Sequence, residues 1–579
     1  MRFPSLVSLG FILAFNACAF SSCAKPKPSE VSFFAEDGSS AELTAGNDDS
    51  VSGFLPLAKD GKLRYSLKRP LTLAAYSALE IEYSYEGPEA DRAVVFSLDS
   101  EPSWALPPDA SFLGFTAAGK TTVRYRFPIT GKVVSSFQLE TKKIARTVTA
   151  DLLPKDGPVP GLQLKSVRLA PRVYGYSISD NTLFLTPFVY FERGQDAIRF
   201  VVEPPANFPL AGGIGAYFLA SSVPGKLSTG GQEYRYVGRA NTQGDSLLSF
   251  PAAALPANPF PIAYESKSAP RSFIVERSRA VPFPEEPITA DPGLILSYRR
   301  EAWRDARYEV FRWECFPSIL IFDTANYEVQ ERLFKRLAFF VEKAGYRGHL
   351  ASDKDIAGLH GWNAHDYRAE DLAAFFESAR KTKFPLNVEE RELQRILVAA
   401  GLVRKVLVSD GTEAFVAGTG AVISISRESA EYLRTLFITH EGFHGIFFLD
   451  EEFRRFASER YAAFDAESKK FLKAYFDSRR YDVKDTYLMI NELMAYCLQQ
   501  PLDLISKYFG DTLPTRLEKD EWRKTMLPPR GTGILPYPTL SEAFTKTASD
   551  FDAYVASRWN MRAGRAALIY QISRTKAAR

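Results

Sequence analysis

Two histidines four residues apart, inside a stretch that is otherwise mostly apolar, constrain the folding of this chain more than any other feature. The stretch runs Leu433-Arg434-Thr435-Leu436-Phe437-Ile438-Thr439-His440-Glu441-Gly442-Phe443-His444-Gly445-Ile446-Phe447-Phe448-Leu449. Leu433, Leu436, Phe437, His440, His444, Phe447 and Phe448 recur at intervals of three and four, the spacing of one helix face. Both histidines then stand on or beside the face that turns inward. Residues four apart lie nearly above one another, so both imidazoles can be aimed at one cation while Glu441 points to the side. With five histidines in 579 residues, composition alone gives this His-Glu-x-x-His spacing in roughly one of a few hundred such chains. The preceding Gly420 to Ser426 alternates like a strand. Ser426 or Ser429 offers an N-cap, with Glu428 and Glu431 placed to favour a helix start, which predicts a helix from Ser429 to about Leu449.

Two imidazoles leave such an ion short, because catalytic zinc takes three protein ligands and keeps a fourth position for water. A second apolar helical segment runs from Asp485, an N-cap residue, to Gln500 before Pro501, and carries Asn491-Glu492-Leu493-Met494-Ala495-Tyr496. Burying a free carboxylate in such a helix costs several kcal/mol, so Glu492 must be exposed, paired or bound to a metal. HExxH followed on a later helix by a Glu in an NE-x-x-A setting resembles the gluzincin branch of the zincin metallopeptidases. The resemblance implies Zn²⁺ as cofactor, held by His440, His444 and Glu492, with Glu441 as general base and a peptide or protein as substrate. It covers about the last half of the chain. Glu451 and Glu452 are fallback ligands, and a surface helix with two solvated histidines is the plain alternative.

The chain also departs from the thermolysin-like pattern. The gap between His444 and Glu492 is longer and holds a charged helical insertion from Glu459 to Arg480. Tyr496 stands where those enzymes carry an Asp that orients a zinc-bound histidine, which leaves Asp450 or a backbone carbonyl for that role. An oxyanion donor stays open among His360, His365, Tyr487 and Tyr496, against loop hydrogen bonding for the histidines and core packing for the tyrosines.

Ahead of these motifs, Ser318 to Phe322 reads as a buried strand and Asn326 to Ala344 as an amphipathic helix ending at Gly345. Helices follow near Ala369 to Lys381 and Val388 to Ala400, then strands at Val403 to Ser409 and Ala421 to Ser426. This is the order expected of a zincin upper lobe, with later helices as the lower lobe. Ala421 to Ser426 is expected to be an edge strand open to an extended substrate.

The first half of the chain reads as β. Leu79, Ile81, Tyr83 and Tyr85 alternate with polar residues, as do Val123, Tyr125 and Phe127. Leu162 and Leu164 do the same, with Val167 and Leu169 after a bulge or register change. The expected fold is multidomain: two N-terminal all-β domains, sandwich-like, then an α+β zincin-like domain rich in helices. The boundaries are residues 1–23 for an export signal, 24–50 for a tether, 51–175 for a jelly-roll-like β-sandwich, 176–300 for a second β-rich unit with a Pro-rich linker, and 301–579 for the metallopeptidase domain.

Residues 6 to 17 are mostly apolar and too few to span a bilayer. Phe20-Ser21-Ser22-Cys23 resembles a bacterial lipobox, which implies lipidation at Cys23; Cys18 is the weaker choice, and ordinary cleavage to a secreted protein is the alternative. The expected location is the cell envelope, with membrane contact through the lipid. Beyond these, only Cys315 and Cys497 remain, too few for a disulfide framework. A net charge of +3 from 72 basic and 69 acidic residues, without a dense basic cluster, argues against nucleic acid. A glycan ligand for the β part stays open. The rival to a metallopeptidase is a surface ligand-binding lipoprotein, for glycan or protein, whose zincin-like domain does not cleave.

Overall fold

The computed structural model describes residues 286–519 and 537–572 apart from 344, 360 and 410. Before residue 278 it describes the β-strands and some of the turns between them. The export segment with Cys18 and Cys23, His360, and the linker prolines Pro282 and Pro284 lie outside the described residues. No described helix is long and apolar enough to cross a membrane.

The chain is β-sheet in its N-terminal part and rich in helices towards its C-terminus. A five-stranded sheet and a ten-stranded sheet are built from strands before residue 278. The period-2 pattern places Ile81, Tyr83, Val123 and Tyr125 in the core. The expected register change falls between Leu164 and Ser166. Glu80 departs from the alternation: it is buried, paired with Arg126.

Three boundaries shift. Strands Phe33–Ala35 and Thr44–Ala45 lie within the stretch expected to be a tether, and each pairs with a neighbouring strand. Strand Val173–Ser179 straddles the expected division at residue 175, and Thr182–Leu185 pairs in parallel with Thr121–Phe127, so the ten-stranded sheet draws on both sides of it. Hydrogen-bond ladders, not turn composition, decide where a β unit ends. Finally, Ile288–Ala290, expected in the linker, is a strand of the C-terminal sheet, followed by helix α1 (Pro292–Ser297) with Pro292 in its first turn.

That C-terminal sheet has the order Ile288–Ala290, Tyr308–Trp313, Ile319–Thr324, Ala421–Ser426, His365–Arg368. Strands Ile319–Thr324 and Ala421–Ser426 run in parallel and are buried along their whole length, as their continuous apolar runs require. Ala421–Ser426 is therefore an inner strand, paired on both sides. The edge is His365–Arg368, antiparallel to it. Leu320, Phe322, Val422 and Tyr367 pack in one core with α2 (Tyr327–Val341), α3 (Ala369–Thr382) and α4 (Val388–Ala399). Ile319, Ile321, Ile423 and Ile425 pack in the other, with α5 (Glu431–Leu449). The strand Val403–Leu407 forms a separate hairpin with Glu413–Ala417.

Helix α5 lies against strand Ala421–Ser426, and the other helices follow: α6 (Glu451–Ala463), α7 (Ala466–Ser478) and α8 (Thr486–Leu498). The cap of α5 is Ala430, without a side-chain hydrogen bond. Ser429 instead meets the Tyr327 hydroxyl at 2.8 Å, and Glu428 accepts the Tyr327 N–H at 2.9 Å, at the start of α2.

A buried ion cluster ties α5 to the sheet. Asp323, fully buried in strand Ile319–Thr324, takes two hydrogen bonds from Arg434 of α5 at 2.7 and 3.0 Å and one from Arg427 at 2.8 Å. Removing one member of such a cluster leaves uncompensated charge in the interior. Asp323→Ala is expected to destabilise the C-terminal unit by about 3–5 kcal/mol, read as a lower urea midpoint. An unchanged midpoint would show that the cluster does not hold the helix.

Candidate metal centre

Helices α5 and α8 pack together, and between them they carry His440, His444 and Glu492. On α5, His440 is 8% exposed and His444 fully buried, which excludes a solvated surface pair. On α8, the Asp485 side chain caps the first turn by accepting from the Tyr487 and Leu488 N–H groups at 2.9 and 3.3 Å. Met489 and Leu493 are buried beside Glu492, which is 3% exposed. The sequence-based ends of α8 agree with the observed ones to within two residues.

The donor atoms converge. His440 Nε2 and His444 Nε2 are 3.1 Å apart, and the two carboxylate oxygens of Glu492 stand 3.7 Å from the first and 3.8 Å from the second. Ligands about 2.0–2.1 Å from a tetrahedral zinc ion are separated by about 3.3 Å, so the residues fit such an ion. Glu492 Oε2 is buried with no hydrogen-bond partner among the described residues. Burial, then the neighbouring His444, holds the His440 imidazole well below its usual pKa and so neutral, the form that binds metal.

Glu441 is 6% exposed. Burial first, then Asp366 and Glu492, push its carboxyl well above the usual range, and burial with Asp366 and Glu342 does the same to Glu492. The two acids share a cavity of about 280 Å³ with His440, and Glu342, Trp362, Asn363, Asp366, Arg479, Tyr481 and Gln499 also line it.

The polar and aromatic stretch His360 to Tyr367 supplies Trp362, Asn363 and Asp366 to this lining, whereas Glu342, Arg479, Tyr481 and Gln499 were not singled out from sequence. Asp366 stands 3.9 Å from His444 Nδ1, as the nearest carboxylate to that nitrogen. Asp450, expected as one choice for this role, instead caps α6 through Phe453 N–H at 2.8 Å and pairs with Arg558 at 3.0 Å. Gln499 faces His440 and donates to the Tyr508 hydroxyl at 2.8 Å. The Tyr481 hydroxyl favours the ionised form of Glu492. The fallback acids do not enter the site: Glu451 and Glu452 begin α6, and Glu452 pairs with Arg558.

Of the residues weighed as oxyanion donors, Tyr496 lines the cavity, and His365 and Tyr487 stand away from it. His365 meets Ser424 Oγ at 2.9 Å and packs on Phe334 of α2, on the other side of the sheet. Tyr487 is 37% exposed and packs on Phe447 outside the cavity. Tyr496 lines the cavity with its ring 5.2 Å from His440, but packs among Tyr475, Phe476 and Tyr508. Arg479 and Tyr481 are the donors it adds. Both follow α7, in the long insertion between the two motifs, where no pattern marked them.

No family model matches the chain, and no curated protein matches it. Among solved structures, the crystal structure of Momordica charantia 7S globulin is 9% identical, over 42% of this chain and 82% of that one, at a TM-score of 0.11, too low to carry an argument.

Acids whose folded pKa is raised stabilise the fold below the unfolded value and lose that contribution as pH rises through the folded one. Burial and Asp366 push Glu342 from 4.5 up to about 8. The metal-free protein is therefore expected to lose stability between about pH 4.5 and pH 8, with Glu441 and Glu492 acting in the same direction. Glu342→Gln should flatten the slope, read from urea midpoints at pH 5 and pH 8. A midpoint that rises over this window would contradict the electrostatic description.

Proposed function

We propose that this chain is a zinc-dependent metallopeptidase with a zincin-like catalytic domain, exported and lipid-anchored at Cys23. The observation that carries the reading is the buried convergence of His440 Nε2, His444 Nε2 and the Glu492 carboxylate beside Glu441 in one cavity. Export and anchoring rest on the apolar residues 6 to 17 and on the lipobox-like Phe20 to Cys23.

His440, His444 and Glu492 would hold the ion through two ring nitrogens and one carboxylate. Zinc bound there supplies a Lewis acid that polarises a carbonyl and brings the pKa of a water towards neutrality. Glu441 takes the proton of the attacking water and returns it to the leaving amine. Its buried setting beside Asp366 raises its proton affinity, the direction a proton acceptor needs. Arg479 and Tyr481, on the cavity wall, meet the oxygen on which negative charge develops. His365–Arg368 is the edge of the sheet, and Asn363, Ala364 and Asp366 line the cavity. An extended peptide laid along this edge pairs through its backbone, which positions the scissile bond without reading side chains.

Glu441→Gln is expected to retain one zinc per chain and to lose peptide hydrolysis by about 10²–10⁴-fold, since an amide cannot take the proton. His444→Ala should lose the metal itself. Elemental analysis and a quenched-fluorescence peptide assay measure both. A parent protein without zinc, or a Glu441→Gln variant as active as the parent, would overturn the assignment.

A further inference from the structure

The cavity holds one more acid than the hydrolytic roles use. Glu342 lies at the C-terminal end of α2, is 8% exposed, and lines the same space as Glu441 and Glu492. Its Oε2 accepts a hydrogen bond from Trp362 Nε1 at 2.9 Å, whereas Oε1 is buried with no hydrogen-bond partner among the described residues. Leaving a buried carboxylate oxygen without a donor is costly, and the cost is removed when a ligand brings one.

The side chain is also held in place. The Trp362 ring that donates to it packs against the Lys343 ammonium, 3.0 Å from the ring centroid, and against the Tyr481 ring, stacked at 5.1 Å and 18°. Lys343 lies on this indole and its charge acts on Glu342, but among the described residues no Lys or Arg stands within ion-pair distance of that carboxylate. Four carboxylates, those of Glu342, Asp366, Glu441 and Glu492, line the cavity against one guanidinium, that of Arg479, a lining that favours a cationic group on the ligand.

We propose that Glu342 recognises a primary ammonium group of the peptide substrate and so sets the specificity of the cleft. The inference rests on the peptidase assignment above. Two sources supply this chemistry: the α-ammonium of a free peptide N-terminus, and a lysine side chain near the scissile bond. A rigid, buried carboxylate suits either, because it meets the ammonium without first being ordered.

The test uses the zinc-loaded full chain and its Glu342→Gln variant, which keeps an oxygen for the Trp362 N–H. Three peptides of one parent sequence serve as substrates: free N-terminus without lysine, N-acetylated without lysine, and N-acetylated with one lysine. In the parent, at least one ammonium-bearing peptide is expected to show a KM about tenfold or more below that of the neutral peptide, the size of a charge-assisted hydrogen bond. Which one does so identifies the source. In Glu342→Gln this preference should vanish, with KM for the neutral peptide and zinc content unchanged.

Binding of leucine hydroxamate and of N-acetyl-leucine hydroxamate, measured by calorimetry, gives a readout apart from turnover. If the free N-terminus is the source, the parent should favour the first and the variant should favour neither. Cleavage of all three peptides with equal KM, or a preference that survives in Glu342→Gln, would overturn the role of Glu342. A parent that binds neither hydroxamate and cleaves nothing would overturn the peptidase assignment instead.

Discussion

The close seating of α5 on the C-terminal sheet is the constraint on which the site depends. A Cβ on Gly442 would lie 3.1 Å from the Trp313 ring, and one on Gly445 would lie 2.9 Å from Ile319 Cδ1. Each glycine costs a helix about 1 kcal/mol relative to alanine, so their presence inside α5 needs a packing reason. Contact with Trp313 and Ile319 supplies it. The Arg434–Asp323 pair then sets how far along the sheet and at what rotation the helix lies. With both degrees of freedom settled, His440 and His444 face α8 rather than the sheet. A helix standing further out would need larger residues at 442 and 445 and would lose this orientation.

Once α5 is seated, the site becomes an electrostatic problem. Glu342, Glu441 and Glu492 are buried around His440, with Asp366 beside them, and all three carry raised proton affinities caused first by burial. Buried like charges disfavour one another, and a neutral His440 imidazole does nothing to offset them. Such a constellation is poor for stability and good for binding cations. The same burial that destabilises the carboxylates strengthens any charge they hold, because little water remains to screen it. Stability lost at the cavity is supplied elsewhere, in the two apolar cores on either side of the sheet.

Periodicity made much of the helical half legible. Helices α3, α4, α5 and α8 begin and end close to the positions their apolar spacing indicates, and Asp485 caps α8 as its residue type suggests. The ligand atoms of His440, His444 and Glu492 are brought within 4.8 Å of one another despite the long insertion between the motifs. Residues that enter the cavity singly, from loops or helix ends, left no pattern to find. Glu342 ends a helix, Arg479 and Tyr481 follow a charged helix, and Gln499 caps the end of α8. The β part was legible strand by strand but not unit by unit, because ladder partners are chosen across the whole segment.

The strand His365–Arg368 shows most clearly where sequence information ends. Four residues, all of them charged or titratable, carry no apolar run and read as loop. Their pairing with Ala421–Ser426 nevertheless decides the chemistry, since successive side chains on a strand point to opposite faces. His365 and Tyr367 go to the α2 side, where His365 meets Ser424 and Phe334. Asp366 goes to the α5 side, beside His444 and the cavity. A slip of one residue in register would exchange these roles, placing an imidazole in the cleft and a carboxylate in an apolar core. The apolar core tolerates the second outcome least, because a carboxylate there would be buried against the Phe334 and Phe322 rings. Packing on the far side of the sheet thus selects which residue reaches the cavity side.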